Sequence, residues 1–216
     1  MAIIGPAAAN LPARDASKAA AGKAPQAAAP MDWRFDVLLD GKPVGQHRFT
    51  VTSQGQERRV NSTASFDVKW LGFTVYRYRH EARERWQGDC LAELQARTDA
   101  NGRETSVSAR LEGGALQVEA QGATQALPPC TMTFAYWSPA LRRQSLLLNP
   151  QTGRDEAVQM VPVGTGLVDV RGAAVQAEHW RLTGAESPID LWYAADGEWL
   201  ALDAMVQGRR LSYRLR

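Results

Sequence analysis

Histidine is scarce in this chain: three in 216 residues, against seven tryptophans. His47, His80 and His179 stand far apart, which leaves few groups for acid–base work or metal binding. His80-Glu81 is not completed to H-E-x-x-H, and that excludes a zinc protease on pattern. Cysteine is rarer still. Cys90 and Cys130 form no Cys-x-x-Cys and have no histidine beside them, so neither a zinc nor a redox motif is encoded. There is no G-x-S-x-G and no phosphate loop, and Gly164-Thr165-Gly166 lacks the rest of a dinucleotide fingerprint. No window approaches the ~18 uninterrupted apolar residues of a membrane-spanning helix. A formal net charge of +2 is too small to argue for nucleic acid or a strongly anionic membrane surface. No cofactor and no metal is expected.

Residues 1–30 follow a different regime from the rest. "AAANLPARDASKAAAGKAPQAAAP" has no aromatic and no β-branched residue, so it cannot bury enough to offset its ordering entropy. It reads as a disordered Ala/Pro-rich leader or linker. "MAIIGPAAAN" lacks the basic start and the apolar run of a complete signal peptide. It is either the tail of a signal that begins upstream or a plain linker.

From Met31 to Arg216 the dominant pattern is alternation with period two. "WRFDVLLD" puts Trp33, Phe35, Val37 and Leu39 on one face; "RVNSTASFDVKW" does the same with Val60, Ser62, Ala64, Phe66 and Val68. Asp40-Gly41 and Asn101-Gly102 read as tight turns, and turn dipeptides recur every eight to twelve residues. The expectation is one all-β domain: a curved antiparallel meander forming a sandwich, an open barrel or a half-barrel. The one clear helix start is Ser138 as N-cap with Pro139 at the first helical position, predicting a short helix near 138–145.

Two stretches are chemically dense. "CTMTFAYWSP" (130–139) reads as a strand from Met132 to Trp137 handing over to that helix. Phe134, Tyr136, Trp137 and Ser138 then form a structural corner that plugs the end of a sheet. A triad built on Ser138 is conceivable on paper, but a serine before proline at a helix start reads as a cap. In "FTVYRYRHEARERW" (73–86), Tyr76, Tyr78, His80 and Trp86 share one face of a strand, and Arg77, Arg79, Glu81, Arg83 and Arg85 share the other. The plain reading is an outer strand with its charged face in water. The functional reading puts Tyr76, Tyr78, His80 and Trp86 against an amphipathic ligand, with Arg77 or Arg79 at the entrance for its head group. The residues leave the two cysteines open, as free thiols or as one disulfide.

The run "FAYWSPALRRQSLLLNPQTG" (134–153) resembles secreted bacterial proteins of domain of unknown function 6134, as do "DWRFDVLLDGKPVGQHRF", "YRYRHEARERWQGDCLAELQARTDANG" and "DLWYAADGEWLALD". Family members often carry Asn where this chain has Ser138; either residue caps a helix. The resemblance covers residues 32–216 and brings no catalytic residue with it. It implies a periplasmic or secreted protein, and with export a Cys90–Cys130 disulfide and a truncated or upstream signal. By looser analogy the chain is similar to periplasmic half-barrels that carry lipid or lipoprotein acyl chains. Three functions compete: binding of a lipid-like amphiphile, docking of an envelope protein partner, and an enzyme acting on a lipid-like substrate through an unrecognised site.

Overall fold

Asp40-Gly41 and Asn101-Gly102 both have positive φ at both residues, 50° and 75° in the first and 57° and 85° in the second. That is the backbone of type I′ turns, whose twist matches the strands they join. The computed structural model describes residues 29–70 and 73–216. Except for Ala29 and Pro30, the expectation for residues 1–30 therefore lies outside the described residues.

The strands are β1 (Met31–Leu39), β2 (Lys42–Gln54), β3 (Glu57–Trp70), β4 (Phe73–Gln87), β5 (Cys90–Ala100), β6 (Arg103–Glu112), β7 (Ala115–Ala120) and β8 (Ala123–Leu127). After them come the short β9 (Met132–Thr133), β10 (Leu146–Leu148) and β11 (Asp155–Ala157). The chain ends with β12 (Gln159–Val170), β13 (Ala173–Thr183), β14 (Ile189–Tyr193), β15 (Trp199–Val206) and β16 (Arg209–Leu215). Thirteen of these form one antiparallel sheet in the order β12-β13-β14-β15-β16-β1-β2-β3-β4-β5-β6-β7-β8. Two meanders are joined where β1 meets β16, with Phe35 opposite Leu215 and Leu39 opposite Leu211. β8 and β12 are edges that do not pair with each other, so the curved sheet is not closed.

Alternation decides which face is buried. Trp33, Phe35, Val37, Phe49, Val60, Ala64, Phe66, Leu94, Val118, Leu191 and Tyr213 all turn inward, and each large apolar side chain contributes about 1.5–3 kcal/mol of burial. The outer face carries ion pairs such as Arg48–Asp32 and Arg79–Asp67. These are partly exposed and individually worth ~0–1 kcal/mol. Gly45 is required by packing: a Cβ there would fall 1.9 Å from the Ser65 carbonyl oxygen of the neighbouring strand.

The segment between β8 and β12 crosses the concave face. Met132, Leu141, Leu147 and Leu148 on it are fully buried. β9 pairs parallel with β10, and β10 antiparallel with β11. The Cys90–Cys130 disulfide pins the segment to the start of β5. Strand structure here is shorter than the sequence predicts, Met132–Thr133 rather than through Trp137, because the chain turns at 134–138 through bonds such as Ser138 N–H to the Ala135 carbonyl. The short helix is a single 3-10 turn, Pro139–Arg143. Ser138 has the extended backbone of a cap, but its side chain makes no cap hydrogen bond; its hydroxyl is buried without a partner.

Candidate functional site: a cavity in the half-barrel

Antiparallel turns sort the two ends of the sheet. Turns 55–56 and 88–89 lie at one end, where Cys130–Leu141 packs; turns 40–41 and 207–208 lie at the other. Between the corner and the second end runs a cavity of about 470 Å³. Glu84, Thr133, Ala135 and Trp137 form its floor, and Ala185–Ser187, Gln151 and Met205–Gln207 its mouth.

The floor is held from below. Trp86, fully buried, donates its indole N–H to Glu84 at 2.8 Å, and the Thr133 hydroxyl donates to the other Glu84 oxygen at 2.9 Å. Trp137 packs over Trp86, and the Arg58 guanidinium lies 5.1 Å from the Trp137 ring. Glu84 is enclosed by protein yet only half-buried, so the surface it keeps faces the cavity. Desolvation pushes its carboxyl up to about 7, against the pull of its two hydrogen bonds.

The waist is aromatic and polar. Cross-strand register sets His47 opposite Ala64, Ala64 opposite His80, and His80 opposite Thr98. The small Ala64 leaves room between the two imidazoles. His47 Nε2 is 2.7 Å from Ser62 Oγ and its Nδ1 3.3 Å from the Tyr213 hydroxyl; His80 Nδ1 is 2.9 Å from Thr98 Oγ1. Burial lowers His47 to about 3, helped by His80, and lowers His80 to about 4. Both are neutral at pH 7, and burial likewise raises the Tyr78, Tyr136 and Tyr213 hydroxyls. His80 Nε2 and the hydroxyls of Tyr78 and Tyr136 have no side-chain partner among the described residues, and all three side chains line the cavity. A ligand offering hydrogen-bonding groups would meet them there.

Of the residues singled out from the sequence, Tyr78 and His80 line the cavity, as do Phe134, Tyr136 and Trp137. Trp86 lies beneath the floor, and Ser138 is buried behind the corner. Tyr76 is exposed near the mouth end of β4, beyond its pairing with β5. Arg77 and Arg79 project from the outer face: both pair with Asp67, and Arg79 also donates to the carbonyls of Phe66 and Tyr78. Sequence reasoning did not find His47, Ser62, Glu84, Trp199 or Tyr213. Glu84 was within reach, since it shares the parity of Tyr78, His80 and Trp86. Among the described residues no three of His, Cys, Asp and Glu gather into a group that could hold a metal, and no helix is long and apolar enough to cross a membrane.

No curated protein matches the chain. Its fold is similar to the crystal structure of a beta-barrel-like protein of domain of unknown function DUF1849 from Brucella abortus. The two are 13% identical, with a TM-score of 0.61 over 87% of this chain and 95% of that one, a likeness of fold alone. The family model of domain of unknown function DUF6134 matches residues 35–216. Those residues include the corner, the floor and the waist of the cavity, and the chain belongs to the DUF6134 family.

Proposed function

We propose that this protein is exported to the cell envelope and binds a lipid-like amphiphile inside the half-barrel. The observation that carries the reading is the cavity: about 470 Å³, lined by Phe49, Tyr78, Tyr136, Trp137, Trp199 and Tyr213, with the polar side chains of His47, Ser62 and His80 at its waist. Small-molecule sites typically span about 300–1,000 Å³ and combine apolar walls with a few placed polar groups. With both imidazoles neutral and Glu84 near its midpoint at pH 7, no fixed cation waits for an anionic head. The disulfide supports an oxidising compartment.

Eight buried methylenes contribute a gross ~6 kcal/mol at ~0.8 each. Association costs several kcal/mol of that, so micromolar affinity requires the head group to be held as well. The test is titration with fatty acids and lysophospholipids, followed by the emission of Trp137 and Trp199, together with native mass spectrometry of protein from its own envelope. Tyr78→Ala should weaken binding. Arg79→Ala should leave it unchanged, because that side chain lies on the outer face. If nothing lipid-like binds below about 100 μM, roughly the −5.5 kcal/mol level, the reading fails.

A second reading, an enzyme acting on the bound molecule, draws on the chain Ser62–His47–Tyr213 within the same cavity. A serine hydroxyl hydrogen-bonded to an imidazole is the geometry of nucleophilic catalysis. Against it, His47 Nδ1 meets a tyrosine hydroxyl rather than a carboxylate, so nothing there stabilises the imidazolium that proton transfer would create. Hydrolysis of fatty acyl esters that Ser62→Ala abolishes would favour the enzyme.

A further inference from the structure

The β3–β4 hairpin is longer than the sheet around it. β2 pairs with β3 only as far as Phe66, opposite Gly45, and β5 pairs with β4 only from Tyr78, opposite Ala100. Beyond those points β3 and β4 continue as a ribbon paired only with itself, from Asp67 opposite Arg77 to Trp70 opposite Phe73. The ribbon leaves the sheet at the mouth end of the cavity, past Tyr78. Beside the charged Asp67, Lys69 and Arg77 it carries apolar side chains open to solvent: Phe73 is 76% exposed, Val75 51% and Tyr76 39%. At the same end, beside the β15–β16 turn, Met205 and Val206 are 48% and 46% exposed while lining the mouth.

These side chains serve no core and no neighbouring strand. Isolated aromatic and aliphatic tips on projecting hairpins form no groove for a peptide or a helix; they suit insertion among lipid head groups, where aromatic rings concentrate. The charges at this end agree. The chain's overall +2 attracts nothing strongly, and Glu186, Asp99 and Glu104 at this end offset part of its positive charge, but on the β1–β2, β3–β4 and β15–β16 hairpins Lys42, Lys69, Arg77, Arg79, Arg209 and Arg210 outnumber Asp40, Asp67 and Asp203. Asp40 and Asp67 answer only part of that charge, through Arg209 and through Arg77 and Arg79. Neither Lys42 nor Lys69 joins an ion pair among the described residues. Cations flanking an apolar tip are drawn to an anionic bilayer surface.

We infer that the mouth end of the half-barrel docks on an anionic lipid bilayer, with Phe73, Val75 and Tyr76 inserting and Lys42 and Lys69 meeting the head groups. This rests on the amphiphile reading for its purpose: docking would bring the cavity mouth to the surface where lipid-like molecules reside. The docking itself does not require that reading.

The test is co-sedimentation of the full chain with phosphatidylglycerol/phosphatidylethanolamine vesicles and with pure phosphatidylcholine vesicles. In parallel, a lysophospholipid below its micelle-forming concentration is titrated against protein in solution. Wild type should sediment with the anionic vesicles, less with the zwitterionic ones, and less as salt rises. Phe73→Ser with Val75→Ser should lower partition by about tenfold or more. Both positions are exposed, so melting should match wild type. Lys42→Glu with Lys69→Glu should abolish the preference for anionic vesicles. In the solution titration both double variants should behave as wild type. Absent vesicle binding, or binding indifferent to the Phe73/Val75 pair, overturns the inference. So does a stoichiometric complex with an envelope protein that needs Phe73 when vesicles are ignored. Vesicle binding without lysophospholipid binding would sink the amphiphile reading and leave docking standing; the reverse result would do the opposite.

Discussion

The Trp137 ring meets the Trp86 ring edge to face, with centroids 5.6 Å apart and planes at 84°. One ring comes from β4 and the other from the crossing segment, so this contact joins plug to barrel. Because Trp86 also holds Glu84, the same contact sets the cavity floor. Removing either indole leaves a void in the floor. Trp137→Ala should cost about 3–5 kcal/mol in denaturant titration. A loss below about 1 kcal/mol would mean the corner is not structural.

Ser138→Ala should behave differently from a lost cap, which would cost about 1 kcal/mol. The hydroxyl is buried and unpaired, so its removal relieves an unsatisfied polar group. The expected change is neutral or slightly stabilising. Destabilisation would show that the hydroxyl has a partner.

Cys90 and Cys130 are 40 positions apart, and closing that loop restricts the unfolded chain. On the chain-entropy model the bond contributes about 4 kcal/mol. Reduction, or Cys90→Ser with Cys130→Ser, should lower stability by that order. Non-reducing peptide mapping should recover the two cysteines in one linked pair.

Acid should destabilise the fold in a defined window. In the unfolded chain His47 and His80 take up protons near pH 6.5, whereas in the fold burial delays this to about 3 and 4. Between those values the unfolded state binds more protons, so the contribution of the two imidazoles is whole above about 6.5 and falls as pH drops. Glu84 acts oppositely: its folded value of about 7 exceeds the ordinary 4.5, so its contribution is full below 4.5 and lost as pH rises through 7. Two imidazoles outweigh one carboxyl, and the net trend from 6.5 down to 4.5 is loss. His80→Gln, which can keep a hydrogen bond to Thr98, should flatten that slope. An unchanged slope would show that His80 is not held neutral.

Residues 1–30 should be dispensable for folding, since their composition cannot build a core. A chain starting at Met31 should show the same thermal midpoint as the full chain; a clear drop would show that the segment packs on the sheet.

The parts of this protein legible in its sequence are the local ones. Period-two alternation is a property of neighbouring residues, so the inward set Trp33, Phe35 and Val37, the inward phase of Tyr78 and His80, and the Asp40-Gly41 and Asn101-Gly102 turns could be read without any knowledge of partners. Sequence alone also carried the family, through runs such as 134–153. The cavity could not be read that way. His47, Ser62, Glu84, Trp199 and Tyr213 lie up to 166 positions apart, as His47 and Tyr213 do, and meet only because β16 returns to pair with β1 and the sheet curls around the crossing segment. Nor does composition say that Arg77 and Arg79 close on Asp67 outside the barrel, or that β3 and β4 outrun both neighbours. Strand phase is set by the two faces of one pleated chain; register and curvature are set by which strand lies alongside which.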